Sequence, residues 1–450
     1  MQANRNILGI APVRELLIKF SVPAIIGMMI NALYNIVDRI FIGNAPGLGA
    51  NGLAGITIGF PIMIVQASIG LLFGVGGATL FSIRLGQTKE EEATHALNTA
   101  FLMALSSGIT FMVLGHLFLN IILTWFGASE TILPFSAAYM RVIFFGSLFQ
   151  IVSMTMNNFL RADGQPRLAM LTMFFGAGTN ILLDPIFIYV LGWGMAGAAW
   201  ATILSQFISM SWTLYYFFNQ NNTHHIRLNR LRYDMSEIFQ IIKLGLPTFL
   251  TQIGSSLLNL TLNRTLLQYG GDIAVSGMGI INSIITFIVM PILGINQGVQ
   301  PIVSFNFGAK KYDRIIEAEK LAIGSATILL TLGWLITRLF PQQIIGVFNS
   351  NPDLMAFTQR GLNAWLLCLP LIGFQILGSS FFQATGYSKR AMFLTLTRQI
   401  IFLIPAIIIF SRLWGLDGVI YAAPFADASA IIVTAITYFK GIKQLKAGQL

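Results

Sequence analysis

Ile18-Lys19-Phe20-Ser21-Val22-Pro23 comes back as Ile242-Lys243-Leu244-Gly245-Leu246-Pro247, and Gly70-Leu71-Leu72-Phe73-Gly74-Val75 as Gly294-Ile295-Asn296-Gln297-Gly298-Val299. Further on, Arg161-Ala162-Asp163-Gly164 is matched by Gln383-Ala384-Thr385-Gly386, and Trp193-Gly194-Met195-Ala196-Gly197 by Trp414-Gly415-Leu416-Asp417-Gly418. Matches in the same order, each about 221–224 residues apart, mark a duplicated unit of the kind that builds transporters. Between them lie long apolar runs. A membrane-crossing helix needs about 20 apolar residues. Twelve runs qualify, at 15–43, 54–83, 95–123, 131–160, 167–191, 196–218, 238–268, 274–306, 312–340, 354–384, 389–413 and 418–440. Each copy therefore holds six spans. Six is even, so both copies enter the membrane from the same side. The predicted fold is an all-α membrane protein with two six-helix lobes, related by a pseudo-twofold axis along the membrane normal. Residues 1–218 form the first lobe, 219–237 a polar linker and 238–450 the second lobe.

The composition agrees. Hydrophobic residues make up 55% of the 450, and charged residues only 10%, against about 25% charged in soluble domains. Such a chain cannot clothe a water-facing surface of its size. Its net charge of +10 is read as loop charge that orients the protein, not as a nucleic-acid footprint. Arg84, Lys89, Arg161, Arg167, Arg227, Arg230, Arg232, Lys310, Lys311, Lys389, Arg390 and Lys440 fall on one side of the spans, whereas the other side carries chiefly Arg338 and Arg412. Both termini are thus expected in the cytoplasm of a multi-pass cell-membrane protein. The single cysteine, Cys368, excludes an intrachain disulfide. The four histidines show no metal-ligand spacing, and His224-His225 in the linker is read as solvated.

Ionisable side chains inside a bilayer are costly and mark function. Of the 17 acidic residues, three are read as lying well inside spans: Asp38, Asp184 and Asp427. Asp38 is about 22 residues, roughly 33 Å, along the first span, and Asp184 about 17 residues, roughly 25 Å, along the fifth. Both fall in the outer half. Asn31 and Asn35 share the helix face of Asp38, and Asn180 that of Asp184. Thr202 and Tyr139 start their spans at a similar level. A lone Asn or Thr is ordinary interhelical glue, but two carboxylates at one depth need a partner, a proton or an ion. The duplication adds weight: the places equivalent to Asp38 and Asp184 are Asn263 and Ala406. Arg39 has its counterpart in Arg264 and reads as a headgroup anchor, with an ion pair that holds Asp38 ionised as the alternative. Arg398 and Asp427 fall near mid-depth on the antiparallel spans 11 and 12, as a compensating ion pair would.

The stretch Asn31-Ala32-Leu33-Tyr34-Asn35-Ile36-Val37-Asp38-Arg39-Ile40-Phe41-Ile42-Gly43 resembles the first-helix signature of the multidrug and toxic compound extrusion (MATE) transporters. Phe20-Ser21-Val22-Pro23, Arg161-Ala162-Asp163-Gly164-Gln165-Pro166 and Asn180-Ile181-Leu182-Leu183-Asp184-Pro185 resemble further signatures of that family. The likeness is closer to the DinF-like and MepA-like branches than to NorM. Spans 7 and 10 lack the acids of the NorM branch and offer Asn259, Asn263 and Cys368 instead. The resemblance implies a monomeric, non-enzymatic antiporter that needs no cofactor. It would export bulky, often cationic organic compounds against H⁺ or Na⁺ by alternating access. It assigns cation coupling to Asp38, Asn180, Asp184 and Thr202, with Asn31, Tyr34, Asn35 and Tyr139 lining the cavity beside them and Pro23 as a bend in the first helix. No bound metal is implied, though Na⁺ could occupy the coupling site. The alternative within related folds is a lipid-linked oligosaccharide flippase, which would need a strongly basic cavity.

Overall fold

A computed structural model of the chain describes residues 7–45, 48–348 and 351–449; the side chains of Asn35, Arg39, Ala50 and Arg230 lie outside the described set. Seven of its helices are long and apolar enough to cross a membrane, and two helix pairs, Leu133–Phe145 with Ser147–Ala162 and Pro352–Trp365 with Leu369–Ala384, each make a span bent by 53° and 50°. Two of the seven are too long to be single spans. Met235–Gly308 runs for 74 residues, about 111 Å at 1.5 Å per residue, against a hydrocarbon core of about 30 Å. It reverses at Gly271, where φ is 62°. Ser388–Lys446 reverses likewise at Gly415, where φ is 59°. With Gly194–Phe218, the described residues form twelve spans.

The duplication recurs in the backbone. Left-handed φ occurs at Thr88 and Lys310, at Gly164 and Gly386, and at Gly194 and Gly415, pairs that coincide under the repeat. Each loop closes on the same bond. Lys89 N–H donates to the Arg84 carbonyl and Lys311 N–H to that of Asn306, both at 2.9 Å; Gln165 N–H donates to Leu160 and Tyr387 N–H to Phe382, both at 2.8 Å.

The chain divides into two compact units. One is built chiefly from Ile26–Phe249, the other from Gly9–Ile25 and Leu250–Leu450. The first half of span 1 thus packs with the second unit. A Cβ on Gly294 would lie 2.6 Å from Ile25 Cα, and one on Gly298 2.5 Å from Ser21 Oγ. The start of span 7 packs with the first unit in the same manner, since a Cβ on Gly245 would lie 1.8 Å from the Leu72 carbonyl oxygen. Both divisions fall two residues after a proline, Pro23 or Pro247. Gly70 and Gly74 let span 4 approach span 2, where Thr155 Oγ1 donates to the Gly70 carbonyl at 3.1 Å.

The linker is clamped to the first unit. His224 is buried, not solvated: its Nδ1 lies 2.6 Å from Asp163 Oδ1, and Tyr216 donates to Asp163 Oδ2 at 2.6 Å. Asp163 lies in the repeat loop after span 4 with its side chain only 9% exposed, and the histidine completes its hydrogen bonding. Arg227 N–H donates to Asn98 Oδ1 at 3.1 Å, and the buried Glu237 takes both guanidinium Nη atoms of Arg84.

Candidate cation-coupling site

Four spans of the first unit supply the site. Asn180 and Asp184 stand one helical turn apart on Pro166–Pro185, and neither is exposed. Asn180 Nδ2 is 3.4 Å from Asp184 Oδ1 and 3.4 Å from Thr202 Oγ1 on Gly194–Phe218. Both distances are long for hydrogen bonds, so one amide is divided between two weak acceptors. Thr202 spends its own hydrogen on the Ala198 carbonyl at 3.1 Å, and the Tyr139 hydroxyl lies beside Thr202 from Leu133–Phe145. From Val13–Asn44, the buried Asp38 brings its carboxyl within hydrogen-bond reach of Asp184.

Two facing carboxyls bond only if one carries a proton. Unprotonated, two unit charges about 4 Å apart repel by about 4 kcal/mol at an effective dielectric of 20. Asp184 Oδ2 and Asn180 Oδ1 are buried and receive no donor among the described residues. Asp184 Oδ2 and Asn180 Oδ1 are thus two buried acceptors that a proton or a small cation would serve.

The other sequence candidates distribute around this centre. Tyr34, one turn before Asp38, neighbours Asp38, Asp184 and Tyr139. Tyr139 is almost fully buried, whereas Asn31 is exposed. Asn35 and Arg39 have side chains outside the described residues. Pro23 is buried inside a helix that continues through it, about 22 Å along the axis from Asp38. Directly after Asp184, Pro185 leads into a wider π-helical turn, Ile186–Val190. Proline has no N–H for the carbonyl one turn back, and such turns cluster at functional sites. Tyr189 on that turn donates to the Phe41 carbonyl at 2.7 Å, tying span 5 to span 1.

The second unit answers differently. Asn263 is exposed and Ala406 buried. Arg398 Nε donates to Asp427 Oδ1 at 2.6 Å; the Asp427 side chain is 1% exposed and that of Arg398 26%. Arg398 lies in a second π-helical stretch, Thr397–Leu403, which ends just before a proline, Pro405, whereas the first one follows its proline. The sequence reading missed two buried acids, Glu237 beside Arg84 and Glu319. Glu319, in Tyr312–Leu339, is 1% exposed. Its neighbours Asp313, Arg314, Glu317 and Lys320 make that stretch read as a solvated helix end. The available signal was its repeat counterpart, Leu97.

The sequence model of the MatE family matches residues 23–186 and again 247–408. The two matches begin at the paired prolines Pro23 and Pro247, and together they cover most of the chain. The chain belongs to the MatE family. Among curated relatives, the multidrug export protein MepA of Staphylococcus haemolyticus is 27% identical over 420 residues, 93% of this chain and 92% of that protein. A crystal structure of MATE in complex with MaL6 aligns with a TM-score of 0.93 at 26% identity, covering 99% of both chains. An outward-facing conformation of a multidrug resistance MATE family transporter of the MOP superfamily aligns at 0.91 and 26% identity, over 97% of both. MatE proteins are membrane transporters, and the twelve spans described above are laid out as in that fold.

Proposed function

We propose that this MatE chain is a secondary active multidrug exporter. It antiports bulky, often cationic organic compounds against H⁺ or Na⁺ by alternating access, and it is not an enzyme. The facing pair Asp38 and Asp184 carries the reading: two buried carboxyls in one unit, next to Asn180 and Thr202, with Asp184 Oδ2 left without a donor among the described residues. The ion enters between the two carboxyls and cancels their repulsion. Asp184 Oδ2 and Asn180 Oδ1, both without donors, are the acceptors nearest to hand. Tyr139 and Thr202 hold the fourth and sixth spans at the same level. Loading neutralises the first lobe and favours the return to the inward-facing form; release leaves it charged and ready for the next exchange.

The protein works as a monomer in the cell membrane, with both termini and the 219–237 linker in the cytoplasm. The flippase reading, which needs a strongly basic cavity, finds no support in a site built around two carboxyls. Flux of an organic cation into and out of proteoliposomes, under separately imposed pH and Na⁺ gradients, tests the proposal. Asp38→Asn and Asp184→Asn should each abolish gradient-driven transport in folded protein, while Asn263→Ala and Ala406→Ser, at the equivalent places, should keep it. Wild-type rates in both Asp→Asn variants would return the carboxyls to a packing role.

A further inference from the structure

Glu319 sits seven residues after the start of Tyr312–Leu339, about 10 Å into the helix. Its face, shared with Ala322, Ala326 and Leu330, is fully buried. Glu319 Oε2 is buried without a hydrogen-bond donor among the described residues. Its neighbour Tyr438, on span 12, is enclosed by the rings of Phe374, Phe381 and Phe439. No cation faces it. The packed half of span 10, Leu369–Ala384, has no ionisable residue, and neither does span 8 over 290–308. Glu317 and Lys320 on its own helix are exposed, as are Lys440, Lys443 and Lys446 on span 12. Arg314 is bonded to the Ala11 carbonyl and Asn306. Tyr438 is thus the titratable group that meets it.

The first lobe shows what packing alone requires here. In the register of Thr88 with Lys310, Glu319 corresponds to Leu97. In the register of Gly194 with Gly415, Tyr438 corresponds to Phe217. Leu97 and Phe217 are fully buried in one apolar cluster. The fold fills this place with a leucine and a phenylalanine in one copy, so a carboxyl in the other is not a packing necessity. An ionised carboxylate without a partner in such surroundings costs several kcal/mol.

We propose that Glu319 is a proton-binding site of the second lobe, separate from the Asp38–Asp184 pair, which exchanges its proton with solution at the end of the lobe that carries Lys440, Lys443 and Lys446. Bound, the proton makes the carboxyl neutral and the apolar cluster closes around it. On release the proton passes to water, and the carboxylate left behind favours any arrangement of spans 9 and 12 that admits solvent. Unlike the first-lobe pair, this site needs no second carboxylate and has no place for a metal ion's ligand shell.

Infrared difference spectra of the full-length protein in lipid, across roughly pH 5–10 where buried carboxyls titrate, test this without a transport assay. Wild type should show a protonated-carboxyl C=O stretch that disappears as the pH rises. Glu319→Gln should lack it, and the Asp38→Asn/Asp184→Asn variant should keep it. Indistinguishable spectra for wild type and Glu319→Gln would overturn the proposal, whatever the first-lobe variants do. If Glu319→Gln fails to fold, Glu319→Leu/Tyr438→Phe, which copies the first lobe, replaces it. That variant should fold and lack the band; its failure to fold would make the carboxyl a structural requirement and would also overturn the proposal.

Discussion

Breaking the pair between Arg398 and Asp427 should cost different amounts from its two sides. Removing one partner of a buried ion pair costs about 3–5 kcal/mol, because the other charge is stranded. The Asp427 side chain is 1% exposed and that of Arg398 26%, so the two stranded charges are not equivalent. Asp427→Asn leaves a guanidinium that is partly exposed and still finds an amide oxygen to bond; its cost belongs near 3 kcal/mol. Arg398→Gln leaves a carboxylate sealed from water, with Cys368 and the Pro424 carbonyl nearby, and its cost belongs near 5 kcal/mol. The double variant strands nothing and should lose far less than the additive sum of about 8 kcal/mol. Unfolding of purified protein in mixed micelles of lipid and denaturing detergent measures all four corners of the cycle. Additive losses, or a larger loss from Asp427→Asn than from Arg398→Gln, would refute the reasoning.

Further outcomes are expected elsewhere in the molecule. In a background without Cys368, cysteine at the exposed Gln220 should react with an impermeant thiol reagent only from the cytoplasmic side, and cysteine at Glu130 only from outside; reversed labelling would overturn the orientation. Gly245→Ala drives a methyl to 1.8 Å from the Leu72 carbonyl oxygen and should cost about 3 kcal/mol or more. Gly178→Ala meets open space and should stabilise its helix by roughly 0.5–1 kcal/mol; thermal midpoints of the two variants moving together would contradict the packing. His224→Ala removes the partner of Asp163 and should cost about 1–3 kcal/mol, read as faster proteolysis within the linker, with unchanged cleavage as the contrary result.

Span positions were legible because apolar length is a local property. The break at Gly415 follows from the Trp-Gly repeat, and the one at Gly271 from the gap between two apolar runs. The places of Asp38 and Asp184 along their helices were also local, a matter of counting residues from a helix end. That the two carboxyls face each other is not local; it depends on how spans 1 and 5 rotate, which their side chains decide jointly. The same limit explains the misses. Glu319 sits among exposed charges, and only the approach of Tyr438 from span 12 makes its face an interior one. His224 lies in a short polar segment whose burial is set by Asp163, 61 positions earlier. Pro185 and Pro405 were visible, but whether a proline kinks a helix or widens it to a π turn depends on which neighbour takes up the freed carbonyl.

A duplicated chain carries its own control. Where both copies keep a feature, the shared fold is the simplest cause. The left-handed turns at Thr88 and Lys310, and at Gly164 and Gly386, close equivalent loops and need no further purpose. The paired prolines Pro23 and Pro247 fall in this class too, since each precedes the residue at which its helix passes from one packing unit to the other. Where one copy buries an acid and the other an apolar residue, packing cannot be the cause, because the apolar copy already packs. Asp184 opposite Ala406 and Glu319 opposite Leu97 meet that test in opposite lobes. Arg398 and Asp427 satisfy each other's charge, so their pair can stay closed without an ion. Asp184 and Glu319 have no such partner among the described side chains, which is why the reading of function rests on these two positions and not on the larger number of polar residues that line the spans.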